Sequence, residues 1–179
     1  NGIGPEILVK AAAHRTWPSG VSAVAVGEPE VLLMAARETG CAEPPTVEDP
    51  LRPPPVRLSV WRPPDSPAAH RQPGRVSAEA GRASAAWVRA GVEGVRRGWW
   101  EGLVTAPIHK AAWAAAGITA AGHTEYLATL CRRRGVGMLL CGGGLRVLLA
   151  TRHVPLRHVP RLITPSQLRE TFQLAVTAV

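Results

Sequence analysis

Lysine is almost missing from this sequence: Lys10 and Lys110 are the only two, so arginine supplies the other 19 of 21 basic residues. Against 13 acidic residues the net charge is +8. What does not accompany that charge is a basic stripe interleaved with aromatics, and nucleic-acid binding is therefore not expected. The basic residues are scattered, and the one dense run, Arg132-Arg133-Arg134, falls where a helix is expected to end and cations favour its dipole. An arginine-for-lysine bias in coding, or a surface that recruits an anionic metabolite, accounts for the composition. Cysteine is scarce too. Cys41, Cys131 and Cys141 form no C-x-x-C pair, and without a secretion signal they read as buried, reduced thiols of a cytoplasmic protein. No apolar run approaches the ~18 residues of a membrane-spanning helix, so no membrane partner is expected. The opening Asn-Gly-Ile-Gly-Pro-Glu lacks an initiator Met and the last helix meets Val179 with no stop signal. Both ends are expected to be cut, leaving open a fragment or a degenerate gene.

What remains, 179 residues at 46% apolar, suits one domain with a substantial core. Pro5 and Glu6 open an apolar helix that Trp17-Pro18 stops, and Val21 to Val26 reads as a strand. Pro29 begins a second helix that Gly40 closes. This alternation predicts an α/β fold with a mixed, mostly parallel sheet. Residues 42–75 are rich in proline and read as an excursion holding one short edge strand around Val56 to Trp61. Ser77 caps a long helix to about Arg97, with small residues along it that let another element approach. Leu103 to Ala106 reads as a buried strand, His109 to Ala116 and Thr124 to Arg134 as helices. Val136 to Cys141 and Leu145 to Thr151 read as strands around a triple-glycine turn. Thr164-Pro165-Ser166-Gln167 has the form of a capping box.

Four places carry possible chemistry. Gly2-x-Gly4 lacks the third glycine and downstream acid of a dinucleotide fingerprint and reads as a tight turn. In Val104-Thr105-Ala106-Pro107-Ile108-His109-Lys110 a strand delivers two cationic side chains to a helix start, where an acidic substrate would fit; a capping His beside a solvated Lys fits equally. Ala121-Gly122-His123-Thr124-Glu125-Tyr126 places His and Thr at a helix start, whose free N–H groups and dipole attract anions. An ordinary Thr N-cap explains the same residues. In Thr151-Arg152-His153-Val154-Pro155-Leu156-Arg157, a His follows a strand read as buried, Val147 to Ala150, where imidazole suits a first-row metal, yet one His is not a site.

Taken in order, Gly-Ile-Gly-Pro-Glu, Val-Thr-Ala-Pro-Ile-His-Lys with Ala-Gly-His-Thr-Glu-Tyr-Leu-Ala, and Thr-Arg-His-Val-Pro-Leu-Arg resemble the 4-hydroxythreonine-4-phosphate dehydrogenases of vitamin B6 synthesis. Ser77-Ala-Glu-Ala-Gly-Arg and Leu162-Ile163-Thr164-Pro165 extend the resemblance over nearly all of the chain except 42–75. It implies a three-layer fold like that of isocitrate and isopropylmalate dehydrogenases, with 1–179 as the first, incomplete part of a catalytic region that acts as a homodimer. It implies NAD as hydride acceptor and a divalent metal (Zn, Mg or Co) that stabilises the alkoxide and then the enolate left by decarboxylation. By resemblance His123 and Thr124 hold the phosphorylated substrate and His153 is the first of three metal histidines. The other two, and further substrate contacts, are expected beyond Val179, which would leave the chain alone inactive. Arg152 stands where the family often has Thr. Two alternatives stay open: a dehydrogenase of 4-phosphorylated threonate or erythronate, and a non-catalytic, anion-binding α/β fragment.

Overall fold

The computed structural model describes residues 2–14 and 16–178, which fall into two compact units, Asn1–His123 and Thr124–Val179.

The first unit holds α1 (Gly4–Ala13), β1 (Ala23–Val26), α2 (Pro29–Thr39), β2 (Thr46–Val47), β3 (Leu58–Trp61), α3 (Ala78–Arg96) and α4 (Lys110–Ala115). Helix starts and stops follow the local chemistry. Proline opens α1 and α2, and Gly40 closes α2 in the left-handed conformation (φ 67°). The Ser77 hydroxyl accepts from the Ala80 amide at 3.2 Å to cap α3. The three strands run parallel in the order β1-β3-β2. The strand expected at an edge is thus the central one. Leu58, Ser59, Val60 and Trp61 are all buried, so Ser59, which the alternation assigns to solvent, lies inside because both faces of the sheet are covered. Leu58 and Val60 join Val9, Ala25, Leu32, Ala35 and Ala36 in a core beneath α1 and α2. On the other face Trp61 meets Trp99 and Trp100 edge-on, at 6.1 and 6.2 Å between ring centres.

The proline-rich segment is built into this unit. It supplies β2 and β3, and the Pro45 carbonyl accepts from the Val60 amide at 2.9 Å. Arg71, with 3% of its side chain exposed, pairs with Glu6 of α1 at 2.8 Å and with Glu38 of α2. The guanidinium holds the Glu6 carboxyl below the usual carboxylate range. The small residues of α3 admit close neighbours: a Cβ on Gly81 would run into the Ala112 carbonyl of α4.

The strand expected at Leu103 to Ala106 does not form. Leu103 packs against Gly91 of α3, but Val104 is 94% exposed. Apolar, β-branched sequence favours a strand, yet a strand also needs a neighbour for its hydrogen bonds.

The second unit contains α5 (His123–Leu130, from its second residue), β4 (Leu139–Gly142), β5 (Leu145–Leu148), a 3₁₀ turn (Leu156–His158), α6 (Val159–Leu162) and α7 (Pro165–Ala178). Helix α5 is shorter than expected. Arg132 adopts φ 52°, and the Arg132 and Arg133 amides bond back to Thr129 and Ala128 at 3.1 and 2.9 Å. This is a Schellman closure with Arg in the place glycine usually takes, so the arginine run lies past the helix. β4 and β5 form an antiparallel hairpin around Gly143-Gly144, both at positive φ. Its residues are largely exposed, Leu145 by 71%, so the segment before His153 is not the buried strand expected. Cys131 and Cys141 are exposed and only Cys41 is half-buried, which corrects the expectation of buried thiols. Among the described residues no helix is long and apolar enough to cross a membrane.

Candidate functional site

His123 is the last residue of the first unit and the first of α5. Its position is set from below by α3 and α4. Trp113, 1% exposed, donates from its indole N–H to the Ser84 hydroxyl of α3 at 2.8 Å. The His123 ring stands edge-on to Trp113, 5.8 Å between centres and 68° between planes. One consequence is that Nε2 of His123 is buried without a hydrogen-bond partner. The other is electrostatic: burial pushes the imidazole below its ordinary pKa, so the ring is neutral near pH 7. A buried, unpaired ring nitrogen costs free energy unless something pairs with it.

Thr124, half-buried, follows in the first turn of α5. Because the helix begins one residue earlier than the expected Thr124, His123 is its first residue and Thr124 its second. Its hydroxyl and the amides at the helix start form the kind of surface that takes an anion's oxygen atoms. Glu125 is the acidic residue of that turn.

His109, weighed as a partner for an acidic substrate, is a cap. Its Nδ1 accepts from the Ala112 amide at 3.3 Å at the start of α4, and Lys110 is exposed. Gly2 faces open space, whereas Gly4 lies where a Cβ would sit 3.0 Å from that of Ala106. Gly4 alone thus serves close packing of α1 against the 103–106 segment.

His153 belongs to the second unit, exposed in the loop after β5, with φ 51°. A non-glycine residue held there carries backbone strain. Among the described residues no group of three or more His, Cys, Asp or Glu is placed to hold a metal ion. His153 is therefore a single donor among the described residues. His158 accepts from Arg157 at 3.2 Å. The capping box at α7 is half formed: Thr164 accepts from the Gln167 amide at 3.2 Å, but the Gln167 side chain turns to the Ala150 carbonyl and Thr171.

Two supporting residues escaped the sequence reading. Trp113 and Ser84 sit in alanine-rich helices where nothing in the local pattern separates a support for His123 from ordinary core.

Comparison with known proteins bears on these residues. The family model described as pyridoxal phosphate biosynthetic protein PdxA matches residues 21–179. A 4-hydroxythreonine-4-phosphate dehydrogenase of Aromatoleum aromaticum is 41% identical over 97% of this chain and 51% of its own length. One of Thermosynechococcus vestitus is 38% identical over 98% and 51%. The crystal structure of the Klebsiella pneumoniae enzyme of that name superposes with TM-score 0.85 at 28% identity, over 98% of this chain and 54% of that one. The Burkholderia phymatum structure gives 0.83 at 28%, over 96% and 53%. The chain spans about half the length of the curated relatives it matches.

Proposed function

This chain belongs to the family of the pyridoxal phosphate biosynthetic protein PdxA, and from that premise we propose that the full-length protein is an NAD-dependent 4-hydroxythreonine-4-phosphate dehydrogenase. It oxidises and decarboxylates 4-phosphooxy-L-threonine in vitamin B6 synthesis, in the cytoplasm, as a homodimer with the fold of isocitrate and isopropylmalate dehydrogenases. Residues 1–179 form part of its catalytic α/β region. The relatives' names support the activity. His123 and Thr124 hold the substrate's phosphate, and His153 is one ligand of a divalent metal (Zn, Mg or Co) completed by residues outside this chain.

The observation that carries the phosphate assignment is the unpaired, buried Nε2 of His123 at the start of α5. A neutral imidazole protonated at Nε2 donates to a phosphate oxygen, and the phosphate's charge draws the ring back toward protonation. The Thr124 hydroxyl and the helix start add donors from the neighbouring position. Binding energy gathered at the phosphate is remote from the reacting carbon and serves to orient it. The hydride transfer itself is assigned to no residue of this chain.

The test uses the full-length enzyme with NAD and each divalent metal in turn, following NADH formation. Turnover of 4-phosphooxy-L-threonine is the expected result. Turnover confined to 4-phosphothreonate or 4-phosphoerythronate would transfer the reading to those acids. Phosphate binding with no metal dependence and no NADH from any of the three would leave only an anion-binding role.

A further inference from the structure

The second unit contains a cavity of about 150 Å³ between the hairpin and α7, lined by Arg134, Arg152, Gln167, Glu170 and Thr171 together with residues 135–137, 148–150 and 174. Two buried polar atoms without a partner belong to its lining: Nη1 of Arg152 and Oε1 of Gln167. Neither Arg134, Arg152 nor Glu170 forms an ion pair among the described residues. The Gln167 amide nitrogen is already committed to Ala150 and Thr171, which fixes its carbonyl as the acceptor left over.

We propose that this cavity binds hydrogen phosphate or a small phosphomonoester carrying one acidic proton. The pairing of unsatisfied groups selects the class. Arg152 offers an N–H and requires an acceptor, whereas Gln167 offers a carbonyl and requires a donor. A fully deprotonated oxyanion satisfies the first and leaves the second unpaired, and it also faces the Glu170 carboxylate. A hydrogen phosphate satisfies both: its P–O⁻ accepts from the guanidinium and its P–OH donates to Gln167 or Glu170. Size excludes larger candidates, since sites for drug-sized ligands and cofactors run from roughly 300 Å³ upward. Ordered water is the competing occupant, as it can also bridge a donor and an acceptor.

Isothermal titration of the chain with inorganic phosphate and with sulfate at constant ionic strength tests this. The His123→Ala background removes the phosphate anchor proposed above. Saturable phosphate binding should persist there, with sulfate about tenfold weaker because it brings no proton at neutral pH. Arg152→Leu should abolish the binding and Gln167→Leu should weaken it about tenfold, with thermal unfolding as the check that each variant folds. In the unsubstituted chain, phosphate and not sulfate should shift the Arg152 and Gln167 side-chain NMR signals, a readout independent of any variant. No saturable phosphate binding in the His123→Ala chain, equal binding of sulfate, or unmoved side-chain signals would overturn the proposal in favour of water.

Discussion

Side chains up to Trp113 and those beyond Thr124 face different surroundings, although both stretches carry apolar residues in regular patterns. In the first unit Val60 and Trp113 are almost wholly enclosed. In the second no described residue is fully buried, and Phe172, Val176 and Leu156 are exposed by 68%, 82% and 84%. The difference lies in the number of layers. A parallel sheet with helices on both faces encloses its own side chains, whereas one hairpin and the 14-residue α7 do not make enough surfaces to enclose a whole side chain. Apolar periodicity says which face of an element needs cover; it does not say that the cover is present. Local stability should differ in the same direction, with the amides of β3 exchanging with solvent far more slowly than those of β4 and β5.

The largest effect that would probe this contrast is Trp113→Ala. Removing the enclosed indole, its bond to Ser84 and its contact with His123 should cost about 3–5 kcal/mol in urea-induced unfolding. A loss below about 1 kcal/mol would mean that the first unit is not closely packed around Trp113. Gly81→Ala comes next, at about 1–3 kcal/mol, because the added methyl meets the backbone of Ala112 and not a side chain that can swing away. Wild-type stability for that variant would show that α3 and α4 are not held at this separation.

A pH titration probes His123. Its pKa in the folded chain is lowered by burial, so the unfolded chain binds more protons, and folding stability should fall as pH drops below the unfolded value of about 6.5. Phosphate should raise the His123 pKa, and its affinity should increase as pH falls through the same range. Ring NMR shifts that titrate at or above about 6.5 without phosphate would contradict the burial. The smallest effect is expected from Phe172→Ser in the second unit, within about 0.5 kcal/mol of wild type. A loss comparable to that of Trp113→Ala would break the comparison.

Much of the first unit was legible because its signals are local. Proline at helix starts, Gly40 in the left-handed conformation and Ser77 at a cap all act within one turn of chain. The position of β3 was not legible, since strand order depends on pairings between distant residues, and its Ser59 looks like a surface residue until both faces are covered. The segment 103–106 failed for the related reason that a strand-like sequence still needs a strand beside it. At the candidate site, the position of His123 and Thr124 at a helix start was legible in the sequence. The unpaired Nε2 was not, because it depends on Trp113 and Ser84 arriving from two other helices.

The most direct test of the phosphate assignment is kcat/KM for 4-phosphooxy-L-threonine in the full-length enzyme carrying His123→Ala, with the thermal midpoint measured alongside. Loss of one charge-assisted hydrogen bond to the phosphate should lower kcat/KM by about 10- to 100-fold, with the thermal midpoint little changed because His123 has no hydrogen bond of its own to lose at Nε2. An unchanged kcat/KM in a normally folded variant would contradict it.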